Sequence, residues 1–170
     1  MFKVNKIFFI PLFFAIIFLT GCATKGYYNK KITSSGLAEI GTGIFKNFLW
    51  PLRGEIVTSF GSQEDLVPAK GITIESRSAS EVHAAQEGRV VLVDQNLKGY
   101  GKTVILEHAD GFSTVYAKNS ELLVSVGQEV RQGELIARAG KKSGSAFFRL
   151  YFELRKNLKA QDPLPYFKNF

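Results

Sequence analysis

The chain has 170 residues, 45% of them hydrophobic, and carries 22 Lys and Arg against 15 Asp and Glu, a formal net charge of +7. This length accommodates one folded domain and a leader but no second hydrophobic core. The only cysteine, Cys22, excludes an intramolecular disulfide framework, so the fold must depend on its core. The positive charge fits anionic neighbours, or a solvated surface without a partner.

The first 21 residues have the pattern of a secretory signal peptide. Lys3 and Lys6 precede an apolar run at 7–19 that only Pro11 interrupts. As a helix this run would be roughly 20 Å long, too short to cross a hydrocarbon core of about 30 Å. We therefore predict that residues 1–21 are removed on export.

The end of this leader, Leu19-Thr20-Gly21-Cys22, resembles the bacterial lipobox, in which the cysteine is lipidated and becomes the first mature residue. The alternative is an ordinary signal peptide with a chance cysteine. Lipid chains on Cys22 would anchor the protein in a membrane. Ala23, in place of an aspartate, favours the outer membrane, with the domain facing the periplasm. Export also argues against a nucleic-acid partner.

Composition divides the mature chain into a tether and a domain. Residues 22–47, the lipidated N-terminus and tether, are rich in Gly, Ser, Thr, Lys and Asn. From 48 to 170, short runs of β-branched and aromatic residues alternate with turn signals, which predicts an all-β sandwich or barrel. The runs lie at 90–93, 103–107, 113–116, 122–126 and 148–154, and the turn signals at 96–101, Asp110-Gly111, Gly127, Gly133 and Gly140.

The regular spacing of glycine and apolar residues at 126–136 predicts turns at Gly127 and Gly133, with Val130 and Ile136 pointing inward. The same spacing occurs in lipoyl and biotinyl carrier domains, which present a modified lysine beside methionines. This chain contains only Met1, so the carrier alternative is rejected.

Several motifs in a fixed order resemble the LytM/lysostaphin-type zinc endopeptidase domain over residues 50–167. The resemblance implies the all-β LytM-like (duplicated-hybrid-motif) fold, a sandwich or barrel whose groove binds cell-wall peptides in active members. The motifs are Trp50-Pro51-Leu52-x-Gly54, Ser59-Phe60-Gly61, Lys70-Gly71-Ile72, Val82-x-Ala84-x-x-x-Gly88-x-Val90, Gly99-Tyr100-Gly101, His108-x-x-Gly111-x-x-Thr114-x-Tyr116 and Leu150-x-Phe152-Glu153-Leu154-Arg155.

The same resemblance locates the positions at which active members hold zinc. Here the three ligand positions are Ala69, Thr73 and Tyr151, and the two assisting histidines are replaced by Lys118 and Arg149. A catalytic zinc needs about three imidazole, carboxylate or thiolate ligands, and nearby cations would repel it. We therefore predict no metal, no cofactor and no hydrolysis.

Other catalytic arrangements have weak support. The two histidines, His83 and His108, lie in separate runs, and we expect His108 to be structural and His83 to lie at or near the surface. We expect Glu75, Asp94, Glu107 and Glu153 to be solvated or paired with basic neighbours. A Ser–His–acid triad depends on geometry rather than spacing and stays an open alternative.

Among degenerate members, the chain looks most like the division-associated murein hydrolase activators of the EnvC and NlpD type. That resemblance implies binding and activation of a periplasmic N-acetylmuramoyl-L-alanine amidase, in support of septal wall splitting, although no coiled coil or LysM module precedes the domain. Direct peptidoglycan binding or an envelope scaffold is the alternative, and a residual zinc endopeptidase is a further one. The expected partner-binding groove comprises Lys70, Thr73, Tyr116, Lys118, Arg149, Tyr151 and Arg155.

Overall fold

The structure, a computed structural model, describes residues 48–64, 67–141 and 143–168. The predicted signal peptide, the predicted lipidation site Cys22 and the predicted tether lie outside the described residues. Within those described, no helix is long and apolar enough to span a membrane.

The described residues form β-strands joined by turns and two short 3₁₀ segments, Ala109–Gly111 and Leu164–Tyr166. The all-β prediction is therefore confirmed. In chain order the strands are β1 (Glu55–Thr58), β2 (Gln63–Glu64), β3 (Val67–Pro68), β4 (Ile72–Ser76), β5 (Glu81–His83), β6 (Gly88–Leu97), β7 (Gly101–Glu107), β8 (Phe112–Leu122), β9 (Glu129–Val130), β10 (Leu135–Lys141), β11 (Phe148–Lys156) and β12 (Lys159–Gln161).

One antiparallel sheet contains all of these strands except β2 and β3, which pair with each other. Its main order is β1-β4-β11-β10-β8-β7-β6-β9, with β5 joined to β10 and β12 to β11. The start of β11 pairs with β10, whereas residues 151–156 pair with β8. The sheet therefore branches at β11, and the branch point is where the candidate site lies.

Strand alternation in β11 separates the core from the site. Leu150, Phe152 and Leu154 are at most 1% exposed and point into the hydrophobic core. The intervening residues face the other side, as the two-residue period of a strand requires. Fully burying a large apolar side chain stabilises the fold by about 1.5–3 kcal/mol. The apolar face of β11 therefore holds the strand in one orientation, and this orientation directs the other face toward the site. Other large core residues are Leu52, Ile72, Ile74, Leu106 and Ile136.

The two ends of the domain meet at an aromatic cluster. Phe48 forms a parallel bridge with Phe167, and Trp50 stacks on the Phe167 ring at a centroid distance of 4.4 Å. Phe48 also packs edge-on against the ring of His108 at 5.7 Å. These contacts hold the first described residues, around Phe48, against the last ones, around Phe167.

Strand β8 changes partner at Lys118. Residues before it pair with β11, and residues 119–122 pair with β10. Lys118 has φ of 59°, in the left-handed region that L-residues enter at a cost, and this local distortion redirects the strand. Gly140 of β10 permits the change, because a Cβ there would lie 2.2 Å from the carbonyl oxygen of Lys118.

Two details of the predicted strand pattern are wrong. Gly140 is not a turn but lies within β10, where the close approach of Lys118 requires it. The run at 122–126 is irregular beyond Leu122. Its chain turns at Gly127, whose φ is 88°, and the amide of Ser125 donates to the side chain of Gln128 instead of a neighbouring strand.

The predicted turns of the 126–136 segment are confirmed. Gly127 and Gly133 both have positive φ, and Val130 and Ile136 are 4% and 0% exposed. The other predicted strand runs lie within β6, β7, β8 and β11.

Candidate functional site

A groove of about 670 Å³ opens where β8, β10 and β11 diverge. It is lined by side chains and backbone from the β6–β7 turn and from strands β1, β4, β7, β8, β10 and β11. The lining residues are Val57, Thr58, Thr73, Gly99, Tyr100, Gly101, Lys102, Lys118, Asn119, Ser120, Gly140, Lys141 and Arg149.

Three of the five positions implied to be catalytic meet at this branch point. Thr73 of β4 lies opposite Tyr151 of β11, and Tyr151 lies opposite Ala117 on the other side. The Lys118 ammonium stands 5.5 Å from the centroid of the Tyr151 ring. A cation over an aromatic face is an attractive arrangement. The site therefore contains a hydroxyl, a phenol and an ammonium group.

The remaining two positions lie at the margins. Ala69 follows β3, and its backbone is hydrogen-bonded to the backbones of Ser62 and Gly61. Arg149 lies opposite Glu75, and its Nε donates to Oε2 of that carboxylate at 2.5 Å. The expectation that Glu75 pairs with a basic neighbour is confirmed.

A buried carboxylate, Glu153, organises the groove-facing side of β11. It is 0% exposed although it faces away from the apolar core, since Tyr100, Tyr151 and Arg155 cover it. The hydroxyls of Tyr100 and Tyr151 donate to Oε1 at 2.9 and 2.8 Å. Arg155 donates to Oε2 from Nε and a terminal nitrogen at 2.8 and 2.5 Å. Such charge-assisted bonds satisfy a carboxylate that would otherwise be costly to bury.

This network does not fit a zinc ligand set. Burial, followed by the hydrogen bond to Glu153, raises the pKa of Tyr151 above its ordinary value of 10.0. The phenol therefore keeps its proton and uses it as a donor to Glu153. Ala69 has no side-chain donor atom and Thr73 only a neutral hydroxyl, so the three ligand positions offer no anionic or imidazole ligand. In the part of the chain that the structure describes, no cluster of three or more His, Cys, Asp and Glu could hold a metal.

Tyr100 is the residue that sequence reasoning missed. In the sequence it stands out only as part of the Gly99-Tyr100-Gly101 motif. In the structure its hydroxyl binds Glu153, its carbonyl accepts from the amide of Lys118, and its ring lies 5.8 Å from that of Tyr151. The only sequence signal was an aromatic residue between two glycines, both of which have positive φ.

Six of the seven predicted groove residues divide into three groups. Thr73, Lys118 and Arg149 line the groove. Tyr151 and Arg155 lie beside it, linked through Glu153. Lys70 is exposed at the turn before β4. Thr73 is only 7% exposed, and the role of these six residues in binding stays a prediction.

Tyr116 does not belong to this surface, and its prediction as a groove residue is wrong. It is 0% exposed, and its hydroxyl accepts from the amide of Ala85 at 2.8 Å. The hydroxyl of Thr114 lies 3.0 Å from that of Tyr116 and 2.7 Å from Nε2 of His108. Tyr116 and Thr114 lie two residues apart on one face of β8, and this face points into the core.

His108 ends this buried polar chain. Its Nδ1 lies 2.6 Å from the carbonyl oxygen of Glu87, which can only accept, so a neutral His108 donates there and accepts at Nε2 from Thr114. Burial lowers the pKa of His108 below its ordinary value of 6.5. The expectation that His108 is structural is confirmed. His83, half-buried with Nδ1 3.0 Å from the carbonyl of Gly133, lies near the surface as expected.

Comparison with known proteins places these observations in a family. Residues 67–163 match the family described as Peptidase family M23. Over 118 residues the chain is 40% identical to the murein hydrolase activator EnvC of Escherichia coli (strain K12), covering 69% of this chain and 28% of that protein. Over 135 residues it is 37% identical to outer membrane antigenic lipoprotein B of Haemophilus influenzae, covering 79% and 32%.

A solved structure of the SpoIIQ-SpoIIIAH pore forming complex contains a similar fold. The TM-score is 0.61 at 27% identity, over 73% of this chain and 92% of the matched one. The chain spans about a third of the length of the two curated relatives. The match to EnvC, over 118 residues, is no longer than the domain described above, whereas the match to lipoprotein B, over 135 residues, is longer than that domain.

Proposed function

The chain belongs to peptidase family M23, and from this membership we propose that its domain binds and activates a periplasmic N-acetylmuramoyl-L-alanine amidase without cutting the cell wall itself. In this proposal the amidase supplies the hydrolysis, and the domain supports septal wall splitting and daughter-cell separation. Neither a metal nor an organic cofactor takes part.

The observation that carries the proposal is the use of the Tyr151 phenol as a hydrogen-bond donor to Glu153. In active members this position holds a zinc ligand. Here it belongs to a closed network of donors around a buried carboxylate. Such a network stabilises a fixed surface but provides no ligand that could activate a water molecule. The groove is therefore suited to binding rather than hydrolysis.

Similarity to named activators supports the choice of partner. EnvC, 40% identical over the shared region, is a murein hydrolase activator by name. The groove also supplies the residue types that dominate protein interfaces, with Tyr100 and Arg149 in its lining and Tyr151 and Arg155 beside it. We propose that Lys70, Thr73, Lys118, Arg149, Tyr151 and Arg155 contact the amidase.

The proposed location is the outer membrane, with the domain in the periplasm. A lipid on Cys22 would hold it there, and the relative from Haemophilus influenzae is named an outer membrane lipoprotein. In this arrangement residues 22–47 form the tether and residues 48–170 the binding domain.

Direct binding tests the proposal. The full chain, purified in detergent, is immobilised and exposed to each periplasmic amidase of its host. We expect one amidase to bind, and Lys70→Ala to weaken its affinity at least about tenfold, because it removes an exposed cation from the contact surface. The matched control is Lys159→Ala on β12, which leaves the predicted groove unchanged. Failure of every amidase to bind the wild-type chain would contradict the proposal.

A second candidate function is an envelope scaffold that binds peptidoglycan or another structural protein. The structural likeness to the SpoIIQ-SpoIIIAH pore forming complex favours it. This candidate predicts that the chain binds a non-enzymatic envelope component or wall fragments in the same experiment while all amidases fail to bind.

A further inference from the structure

The groove concentrates positive charge on a domain that is otherwise nearly neutral. Residues 48–170 contain sixteen Lys and Arg and fourteen Asp and Glu. Four of the basic residues, Lys102, Lys118, Lys141 and Arg149, line the groove, and none of the lining residues that the structure describes is acidic. Clefts lined by one sign of charge focus the electrostatic potential and attract the opposite charge.

Three of these cations lack an acidic partner. Among residues 48–64, 67–141 and 143–168, no carboxylate lies within 4.0 Å of the amines of Lys102, Lys118 or Lys141. Arg149 differs because it is paired with Glu75. No ion pair among the described residues therefore neutralises these three lysines, and a ligand can pair with them.

Neutral contacts hold the three ammonium groups in place. Lys102 donates to the carbonyl of Ser120 at 2.7 Å. Lys118 lies over the ring of Tyr151, and Lys141 lies 5.0 Å from the centroid of Phe148. A cation that is already positioned loses less conformational freedom when it binds an anion.

The lysines lie on neighbouring strands. Asn119 of β8 pairs with Lys102 of β7 on one side and with Ala139 of β10 on the other. Because neighbouring strands are about 4.8 Å apart, the cations on β7, β8 and β10 form a row of about 10–15 Å across the sheet. Alternate side chains of an extended peptide repeat at about 6.6 Å, so this row can receive two or three carboxylates of one peptide.

We propose that this groove binds an acidic peptide segment of another protein, with Lys102, Lys118 and Lys141 contacting its carboxylates. The inference rests on the proposed function and specifies the chemistry of the partner segment. Lys102 and Lys141 thereby join the predicted binding residues.

The tether of this chain is unsuited to the groove. Residues 23–47 contain four lysines and one glutamate, Glu39, so their charge has the same sign as the groove. The occupant must therefore come from another molecule. A second copy could offer its acidic cleft at the opposite end of the β6–β7 hairpin, but there Glu87, Glu107, Glu129 and Glu134 lie with Arg89 and Arg131.

Binding of a defined probe tests the proposal. A fluorescein-labelled ten-residue peptide of alternating glutamate and serine is titrated with the full chain in detergent, and its anisotropy is measured at 50 and 500 mM salt. The matched probe replaces glutamate with glutamine. We expect binding of the glutamate peptide only, weakened by salt because screening shortens the range of charge interactions.

The decisive variant is Lys102→Glu/Lys141→Glu, and Lys159→Glu is its control, since Lys159 lies on β12 outside the groove. The double variant should bind the glutamate peptide at least about tenfold more weakly, and the control within about twofold of wild type. Circular dichroism and melting curves identify variants that fail to fold, and Lys102→Gln/Lys141→Gln then replaces the double reversal.

Three outcomes would overturn the inference. They are equal binding of the glutamine peptide, binding unaffected by the double variant, and binding of purified muropeptides or of the chain itself while the glutamate peptide does not bind. Failure of the proposed function can be distinguished from failure of this inference. If the peptide binds but no amidase does, the proposed function fails and the acidic-segment inference stands. If an amidase binds wild type and the double variant equally, the acidic-segment inference fails and the proposed function stands.

Discussion

The hydroxyl of Tyr151 donates a 2.8 Å hydrogen bond to Oε1 of Glu153, two residues further along the same strand. Both side chains lie on the groove-facing side of β11, opposite the apolar residues that anchor the strand in the core. One position that resemblance assigns to a zinc ligand is thus occupied by a protonated donor. Its acceptor is buried and already bound by Tyr100 and Arg155.

The first prediction concerns the stability of this network. Tyr151→Phe should lower the free energy of unfolding by about 1–3 kcal/mol, because it removes one donor from a buried carboxylate. Tyr166→Phe, a control outside the network, should change it by less than about 0.5 kcal/mol. Urea denaturation measures both, and equal stability of Tyr151→Phe and wild type would show that the bond contributes nothing.

The second prediction concerns metal. The wild-type chain, purified without chelator, should contain far less than one zinc per chain by mass spectrometry. Ala69→His/Thr73→Asp/Tyr151→His, which introduces two imidazoles and a carboxylate, should raise the zinc content, because these are the ligand types that zinc binds. A matched triple substitution to Ser at the same positions should not. Stoichiometric zinc in the wild type would contradict the account of the site.

The third prediction concerns pH. Burial lowers the pKa of His108 in the folded protein, so the unfolded chain binds its proton more readily. Stability from this residue is therefore present above about pH 6.5 and is lost as pH falls through the folded-state pKa, by at most about 1.4 kcal/mol per pH unit. Denaturation at a series of pH values should show a smaller acid loss in His108→Gln than in wild type. His83→Gln is the control, and an unchanged slope in His108→Gln would refute the assignment.

The fourth prediction concerns the change of partner in β8. Gly140→Ala would place a Cβ 2.2 Å from the carbonyl oxygen of Lys118, so backbone must move. We expect a loss of about 2–4 kcal/mol, as for other strained core substitutions. Gly144→Ala meets no atom within 4 Å and should cost only the left-handed backbone penalty of about 1–2 kcal/mol. The two melting curves separate these effects, and a Gly140→Ala protein as stable as Gly144→Ala would rule out the close approach.

Local patterns in the sequence predicted much of the fold. Runs of β-branched residues identified the strands around Val90 and Val104, and the spacing of Gly127 and Gly133 identified two turns. These features depend on neighbouring residues and on backbone conformation, so a single sequence contains them. The prediction of a strand at 122–126 is wrong beyond Leu122, because the chain leaves the regular ladder there and turns at Gly127. Val124 is 7% exposed in an irregular segment.

The site was predictable only in part, for a different physical reason. Resemblance to the zinc peptidases located Thr73, Lys118, Arg149 and Tyr151 from motif positions. It did not reveal that Tyr116 points into the core or that Tyr100 crosses to Glu153, because both depend on contacts between residues distant in sequence. The Tyr100–Glu153 bond spans 53 positions. The charges of Lys102 and Lys141 can be recognised as part of one site only when strand pairing brings β7 and β10 to the same groove.

Dye release from labelled peptidoglycan tests the central claim most directly. The full chain in detergent is incubated with the wall alone, and then together with each periplasmic amidase of the host at a concentration where the amidase alone releases little dye. The account predicts no release by the chain alone, with or without added zinc, and a clear increase in release with one amidase. Zinc-dependent release by the chain alone would contradict it.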